Sequence, residues 1–372
     1  MATGIRAMAT AMRGLEAAMR AMAINLLSRP AAVYPHTPRQ PGIKFIRTSL
    51  YCLAVVALLI AMLSITLQER KEEEKPFRVL VIGASGFLGY RLSLGLLANT
   101  RPKIEVVGID AERNERAQLL ERAGMHILYG NVTKWALATS GVKLARPHAI
   151  VDFTQQEHPW CLPLNQLTLG TILDAATADR SVRSAFFASP NRFYIPSSRS
   201  GELLAAAKSV LLPFSVVEWR FSTVYGEFGR TDYPYYKFVE DITSGQDVQL
   251  WQQRKGRQNY IYIDDAVAVM IKMILDFTHV VGAVTVVDIG TPTPALSFKD
   301  VVRVVTKISG KKAKLVEVED ANPPPWEVEY VPPSHLYALG KFTSFQSGMA
   351  RFIDWYEQKK SMIARNEVND HT

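Results

Sequence analysis

From position 78 onward the chain alternates short apolar runs with longer mixed stretches. RVLVI, at 78–82, is a β-branched run that leads straight into Gly83 and then into the helix-like FLGYRLSLGLLAN. IEVVGID follows and ends at Asp110; MHILYGNV, HAIVDFT, SAFFAS and FSVVEWR are later runs of the same kind, with helical stretches between several of them. Short apolar runs bounded by turn signals and separated by helical periodicity predict an α/β fold, a Rossmann-like doubly wound parallel sheet. After Arg220 the pattern loosens into turns, a strand near Tyr260 and a helix over 264–277. Ser297 and Asp300 form a capping box before VVRVVTKISG, a helix that Gly310 closes.

The longest apolar run comes earlier. Residues 48–67 hold no charge, and SLYCLAVVALLIAMLSITL is about the length needed to cross a bilayer core, which predicts one transmembrane helix. Arg39, Lys44 and Arg47 precede it, whereas QERKEEEK follows with more acid than base. The positive-inside rule then leaves the N-terminus cytosolic and the folded part lumenal, as a single-pass type II signal-anchor of a Golgi or other secretory membrane. The first residues keep a second address open. Arg6, Arg13 and Arg20 stand seven apart among Met and Ala with almost no acid, a pattern that resembles a mitochondrial or plastid transit sequence. The organisation predicted is a basic tail (1–47), the span (48–67), a polar stalk (68–76), a dinucleotide-binding domain (77–220), a smaller substrate region with returning Rossmann elements (221–357) and a polar tail (358–372).

Charge and composition narrow the chemistry. The 372 residues carry a net charge of +8, but residues 1–68 hold seven Lys/Arg against one acid, Glu16, so the remainder is nearly neutral. A nucleic-acid-binding body needs a basic folded domain, and none is expected here. The two cysteines, Cys52 within the apolar run and Cys161, supply neither a disulfide framework nor a metal site, and the seven histidines have no metal-ligand spacing.

Gly83, Gly86 and Gly89 stand as G-x-x-G-x-x-G in the segment GASGFLG, with Ser85, Phe87 and Leu88 between them. The absent side chains let the backbone turn tightly, approach a pyrophosphate and pack helix against sheet, while the helix N-terminus offers free N–H groups to phosphate. The triplet sits between a predicted strand and a predicted helix, and the second strand ends in an acid, which is the context the motif requires. Asp110 would accept hydrogen bonds from ribose hydroxyls and repel a 2′-phosphate, selecting NAD over NADP. Asn131 and Val132, at the end of the third strand, fall near the predicted adenine site.

From 77 to about 356 the chain resembles the extended short-chain dehydrogenase/reductase family, the NAD-dependent epimerases and dehydratases, and within it the UDP-glucuronate 4-epimerases. RFSTVYGEFGRTDYPYYKFVEDITSGQ is similar to that family's RFFTVYGPWGRPD and following helix, NYIYIDDAVAVMI to its FTYIDDIV helix start, and VDIGTPTPALSFKDVV and FTSFQSGMARFIDWY to its C-terminal region. The resemblance implies NAD as cofactor, a UDP-hexuronate type of nucleotide sugar as substrate, a homodimer, and hydride chemistry at the sugar C4. A tyrosine takes the hydroxyl proton, helped by a lysine four residues later and by a Ser/Thr. It also implies that Tyr225, Arg230 and Arg257 shape the substrate wall.

This chain departs from the pattern where the chemistry is done. Aligned without gaps, the family's FVYASSSSVYG meets AFFASPNRFYI, which puts Pro190 at the catalytic serine and leaves about twenty residues, including the YxxxK tyrosine, missing. Aligned instead from GELL, Tyr194 becomes the catalytic tyrosine and Ser198 takes the lysine position, with Arg199 adjacent. In neither alignment is there a lysine, and a guanidinium one position along a helix points about 100° away. Gln258 replaces the arginine before the family's DFTYIDD, and Arg257 is displaced by one. Asp264 and Asp265, at a helix start, fit a cap and dipole role. Three readings remain open: an NAD-binding protein with a degenerate catalytic set, a working epimerase or decarboxylase using Tyr194 and Arg199, and a structural subunit of an organellar membrane complex. A missing exon would leave the same gap.

Overall fold

The structure is a computed structural model, and it describes residues 59–64, 76–154, 162–189, 196–251, 257–276, 284–319 and 341–369. The chain forms two compact units, Met1–Arg70 and Lys71–Thr372. In the first unit residues 59–64 are helical, with Leu59, Ile60 and Leu63 exposed. The rest of the expected span, 48–58 and 65–67, lies outside the described residues. Among the described residues no helix is long and apolar enough to cross a membrane.

The second unit opens with strictly alternating elements. These are β1 (Phe77–Ile82), α1 (Phe87–Leu97), β2 (Ile104–Asp110), α2 (Glu115–Arg122), β3 (His126–Tyr129), α3 (Trp135–Ala145), β4 (Ala149–Asp152), α4 (Leu162–Thr177), β5 (Ser184–Ser189), α5 (Pro196–Ser209) and β6 (Ser215–Phe221). Less regular elements follow: β7 (Thr223–Tyr225), α6 (Pro234–Ser244), β8 (Val248–Trp251), β9 (Arg257–Gln258), β10 (Tyr260–Tyr262), α7 (Ile263–Asp276), β11 (Val284–Ile289), β12 (Leu296–Ser297), α8 (Phe298–Ser309), β13 (Leu315–Val318) and α9 (Phe345–Asn369). Seven strands form one sheet in the order β11-β6-β5-β4-β1-β2-β3, with every pair parallel. The expected doubly wound parallel sheet is what forms.

Parallel central strands are covered on both faces, which is why β1 reads as an unbroken apolar run. Val79 and Val81 enter one core layer, beneath α1 and α7; Leu80 and Ile82 enter the other, beneath α3 and α4. The same alternation sends Val217 and Trp219 of β6 to the first layer, where Trp219 stacks on Phe186 at 4.7 Å between centroids. A glycine in the middle of α1 lets α7 close in, since a Cβ at Gly95 would stand 2.7 Å from Val267 Cγ1.

The later residues attach to the sheet by short pairings: β7 with β10, β9 with β12 and β8 with β13. The expected helix over 264–277 is α7, and the capping box forms at α8, where Ser297 Oγ accepts from the Asp300 amide and Asp300 accepts from the Ser297 amide at 3.0 Å. Gly310 closes α8 at φ +66°. A buried side chain joins these parts: Asn259, 3% exposed, donates to the carbonyls of Thr291 and Thr293 at 3.0 Å each and accepts from the Thr291 amide at 2.9 Å. Asn259→Ala strands those backbone groups without solvent, at about 1–3 kcal/mol for each group left unpaired. The expected result is a loss of roughly 2–4 kcal/mol in urea unfolding. Unchanged stability would show that the latch carries no load.

Candidate functional site at the carboxyl edge of the sheet

The glycine loop leaves β1 by hydrogen-bonding to its neighbour: the Gly83 amide donates to the Ile109 carbonyl at 2.8 Å, and the Gly86 amide donates back to the Gly83 carbonyl at 3.1 Å. Gly83 sits at φ +75°, in the left-handed region that favours glycine. The third glycine is fixed by contact, since a Cβ on Gly89 would lie 2.1 Å from the Gly83 carbonyl oxygen. Helix α1 therefore starts hard against the end of β1. Its N-cap, Gly86, has no side chain to offer, no acid stands in the first turn, and Phe87 and Leu88 lead directly into the helix. The positive end of the helix is thus left for an external anion.

Asp110 closes the other side of this loop. Its Oδ2 accepts from the Ser85 amide at 2.6 Å and its Oδ1 from the Ala111 amide at 2.8 Å. Ser85, 2% exposed, receives the Asn114 side-chain amide on its hydroxyl at 2.7 Å, while Asn114 Oδ1 caps α2 through the Ala117 amide at 3.0 Å. Asp110 is therefore a brace of the glycine loop as well as an acceptor at the strand end. Asn114 was not singled out from the sequence, though an Asn directly before a helical stretch is a cap signal. Asn131 is exposed and makes its own turn, accepting from the Thr133 amide at 2.9 Å and the Thr133 hydroxyl at 2.7 Å. Val132 is core. Asp152, 1% exposed at the end of β4, accepts from the Thr154 amide and hydroxyl, and the Phe153 amide donates to the Ile82 carbonyl, so β1 and β4 end together beside the loop.

The residues assigned to a substrate wall lie apart from one another in character. Tyr225 is 1% exposed; its hydroxyl donates to the Phe345 carbonyl at 3.2 Å, and burial pushes that hydroxyl far above its ordinary pKa. Arg230 is engaged by both oxygens of Asp232 and lies over the Tyr233 ring. Arg257 donates to the Ala295 carbonyl at 2.9 Å and approaches Asp300 at 3.6 Å. The two acids at the start of α7 are ties: Asp264 pairs with Arg91 and Arg351, and Asp265 accepts from the Thr343 amide and hydroxyl. Pro190 and Tyr194 lie outside the described residues, and Ser198 and Arg199 stand near the start of α5 with their side chains undescribed.

A buried ion pair near the carboxyl end of β6 was also not anticipated. Glu218 and Arg220, 0% and 3% exposed, meet at 3.0 Å, and Arg220 is registered between Ser189 of β5 and Asp288 of β11. Charges within a strand run signal solvent in a sequence, and only the seven-stranded sheet buries these two. No group of three or more His, Cys, Asp and Glu among the described residues is placed to hold a metal.

Comparison with known proteins shows what the chain is similar to. Residues 173–287 match the model of the NAD dependent epimerase/dehydratase family. A probable UDP-glucuronate 4-epimerase of Rhizobium meliloti is 26% identical over 338 residues, covering 76% of this chain and 97% of the relative. Among solved structures, a UDP-glucuronic acid 4-epimerase from Bacillus cereus in complex with UDP-glucuronic acid and NAD superposes with a TM-score of 0.62 at 18% identity, covering 75% of this chain and 99% of the other. A Thermus thermophilus UDP-glucose 4-epimerase in complex with NAD does so with a TM-score of 0.62 at 17% identity, covering 76% and 99%. The family resemblance seen in the sequence therefore stands: the chain carries the NAD dependent epimerase/dehydratase match over 173–287, on the fold of the UDP-sugar epimerases.

Proposed function

We propose that this chain is a membrane-anchored, NAD-binding protein of the nucleotide-sugar epimerase family whose catalytic set is degenerate. The observation that carries the reading is the cradle at the end of β1. Gly89 has no room for a side chain, the α1 N-terminus has no cap, and an acid ends the adjacent strand, which together fit a dinucleotide. When bound, NAD supplies a hydride acceptor and donor. The Gly83–Gly86 turn and the α1 N-terminus would hold its pyrophosphate, with Gly89 letting the helix start close to the strand, and Asp110 would hold its ribose.

What this chain offers the sugar is poorer. A tyrosine of ordinary pKa is only about a thousandth ionised at neutral pH, so one acting as base depends on a fixed cation beside it. Neither alignment supplies a lysine for Tyr194, and Pro190 has no hydroxyl. Binding without efficient turnover is the consequence. The working-enzyme reading keeps Tyr194 and Arg199 as its catalytic pair, with a UDP-hexuronate as substrate. Exposed Leu164 and Leu167 on α4, and Leu203 on α5, support a second copy of the chain as partner.

For location, the charge asymmetry about 48–67 supports a single-pass type II protein of the Golgi or another secretory membrane with its folded unit lumenal. The arginine spacing of the tail supports the organellar alternative.

Three outcomes test these statements. Calorimetric titration of the full chain should show NAD bound about tenfold or more tightly than NADP, a difference of ~1.4 kcal/mol. Asp110→Ala should abolish that preference and also weaken NAD, because the Ser85 amide loses its acceptor; equal affinity of the unmutated chain for both cofactors would sink the assignment. Conversion of UDP-glucuronate to UDP-galacturonate should stay at background, and Ser198→Lys alone should not rescue it; robust turnover lost in Tyr194→Phe would make Tyr194 the base after all. In sealed vesicles the C-terminal unit should resist added protease until detergent is supplied. Digestion without detergent would reverse the orientation.

A further inference from the structure

The edge of the sheet opposite the glycine loop carries a concentration of cations that the proposed function does not use. Because the strands are parallel, the residues that precede β4 and β5 and those that open β1 lie together at the amino edge. An open depression of about 610 Å³ lies there, lined by Lys143, Arg146, Ala178, Asp179, Arg180 and Ser181. Arg78 and Arg183 flank it: Arg78 Nε donates to the Arg146 carbonyl at 2.7 Å, and the Arg183 amide donates to the His148 carbonyl at 2.8 Å.

Among the described residues these five cations stand together without an ion pair, a state that Lys103, Arg122 and Lys134 share only as scattered single residues. Elsewhere Arg91, Arg113, Lys208, Lys237, Arg303 and Lys314 each pair with an acid. Among the described residues Arg78, Lys143, Arg146, Arg180 and Arg183 form no ion pair. The one acid in the depression is occupied: Asp179 accepts from the Ser181 amide at 2.8 Å. Burial works against its charge, but the Ser181 hydrogen bonds and the charges of Arg146 and Arg78 hold its carboxyl below the ordinary value. His148 adds no charge, since burial and the nearby Arg78 and Arg183 push it down to about 4.

Cations beside helix C-termini are ordinary, and α3 and α4 both end at this edge. Two helix ends supply roughly one negative charge between them, so five cations against Asp179 leave an excess of about three. Arg146 adds a second observation. It closes α3 in the left-handed region, at φ +41°, a position where glycine is the usual residue. The helix ends on a strained arginine where an unstrained glycine would close it, which points to a use for the side chain.

We propose that this depression is a binding site for a phosphate-type oxyanion of multiple charge, held by Lys143, Arg146 and Arg180, with Arg78 and Arg183 raising the local potential. Guanidinium forks bind such an anion bidentately and the ammonium acts as a point charge. The same chemistry is presented by a free phosphorylated molecule and by a phospholipid headgroup.

The test reads Lys143 itself, because pyrophosphate also suits the glycine loop at the other edge. The full-length protein is acylated with an amine-reactive ester, and the rates at Lys143 and at Lys299 are followed by mass spectrometry. At constant ionic strength, inorganic pyrophosphate should slow Lys143 several-fold and leave Lys299 unchanged. Vesicles of phosphatidylcholine with and without phosphatidic acid form the second arm: protection by free pyrophosphate assigns a soluble ligand, and protection by phosphatidic acid vesicles alone assigns a headgroup. Arg146→Gly together with Arg180→Ala should abolish protection. Arg146→Gly alone should keep or raise the melting temperature, since glycine adopts this φ without strain. Three results would overturn the proposal: equal slowing by chloride, protection that survives in the double variant, or no protection by either pyrophosphate or phosphatidic acid. A drop in melting temperature for Arg146→Gly with protection intact would do so as well, by making Arg146 a structural cap.

Discussion

The contact between Gly89 and the Gly83 carbonyl is the constraint on which the rest of the fold depends. A Cβ there would stand at 2.1 Å, so helix α1 can begin only where it does if residue 89 is glycine. That placement sets the direction of α1, whose Gly95 then receives Val267 of α7, so one close approach propagates into a second. It also brings Ser85 within 2.6 Å of Asp110, which ties the loop to β2 and, through Asn114, to the start of α2. Loop, strand end and helix start are a single hydrogen-bonded object.

Much of this was legible because it is backbone chemistry. Parallel strands buried on both faces leave near-continuous apolar runs, so β1, β4 and β5 could be read directly, and a capping box and a terminal glycine announced α8. The pairings β9 with β12 and β8 with β13 involve strands of two to four residues, too short to show a period. Side-chain fates were harder to read. Tyr225 suits a pocket wall or a core, and only the tertiary contact with Phe345 decides that its hydroxyl is spent internally. Glu218 and Arg220 look like solvent-facing charges until β6 takes its place inside the sheet, between β5 and β11.

The buried pair constrains the sheet through charge and packing alone. A charged pair within the sheet gains little over apolar packing, yet losing one partner leaves the other charged and dry, at about 3–5 kcal/mol. Strand β6 is therefore constrained independently of whether any sugar is turned over.

The two edges of the sheet solve the problem of holding an anion by opposite means. Helices run antiparallel to the strands they follow, so their N-termini gather at the carboxyl edge, where backbone N–H groups and helix dipoles favour negative charge without help from side chains. Glycine suits that edge because the backbone itself is the ligand. At the amino edge the helix C-termini present carbonyls and partial negative charge, which disfavours an anion. Any anion held there has to be held by side chains, and in excess of what the helix ends absorb. Lys143, Arg146 and Arg180, supported by Arg78 and Arg183, meet that requirement, and the left-handed arginine that ends α3 is what puts a guanidinium at the turn where a glycine would leave none.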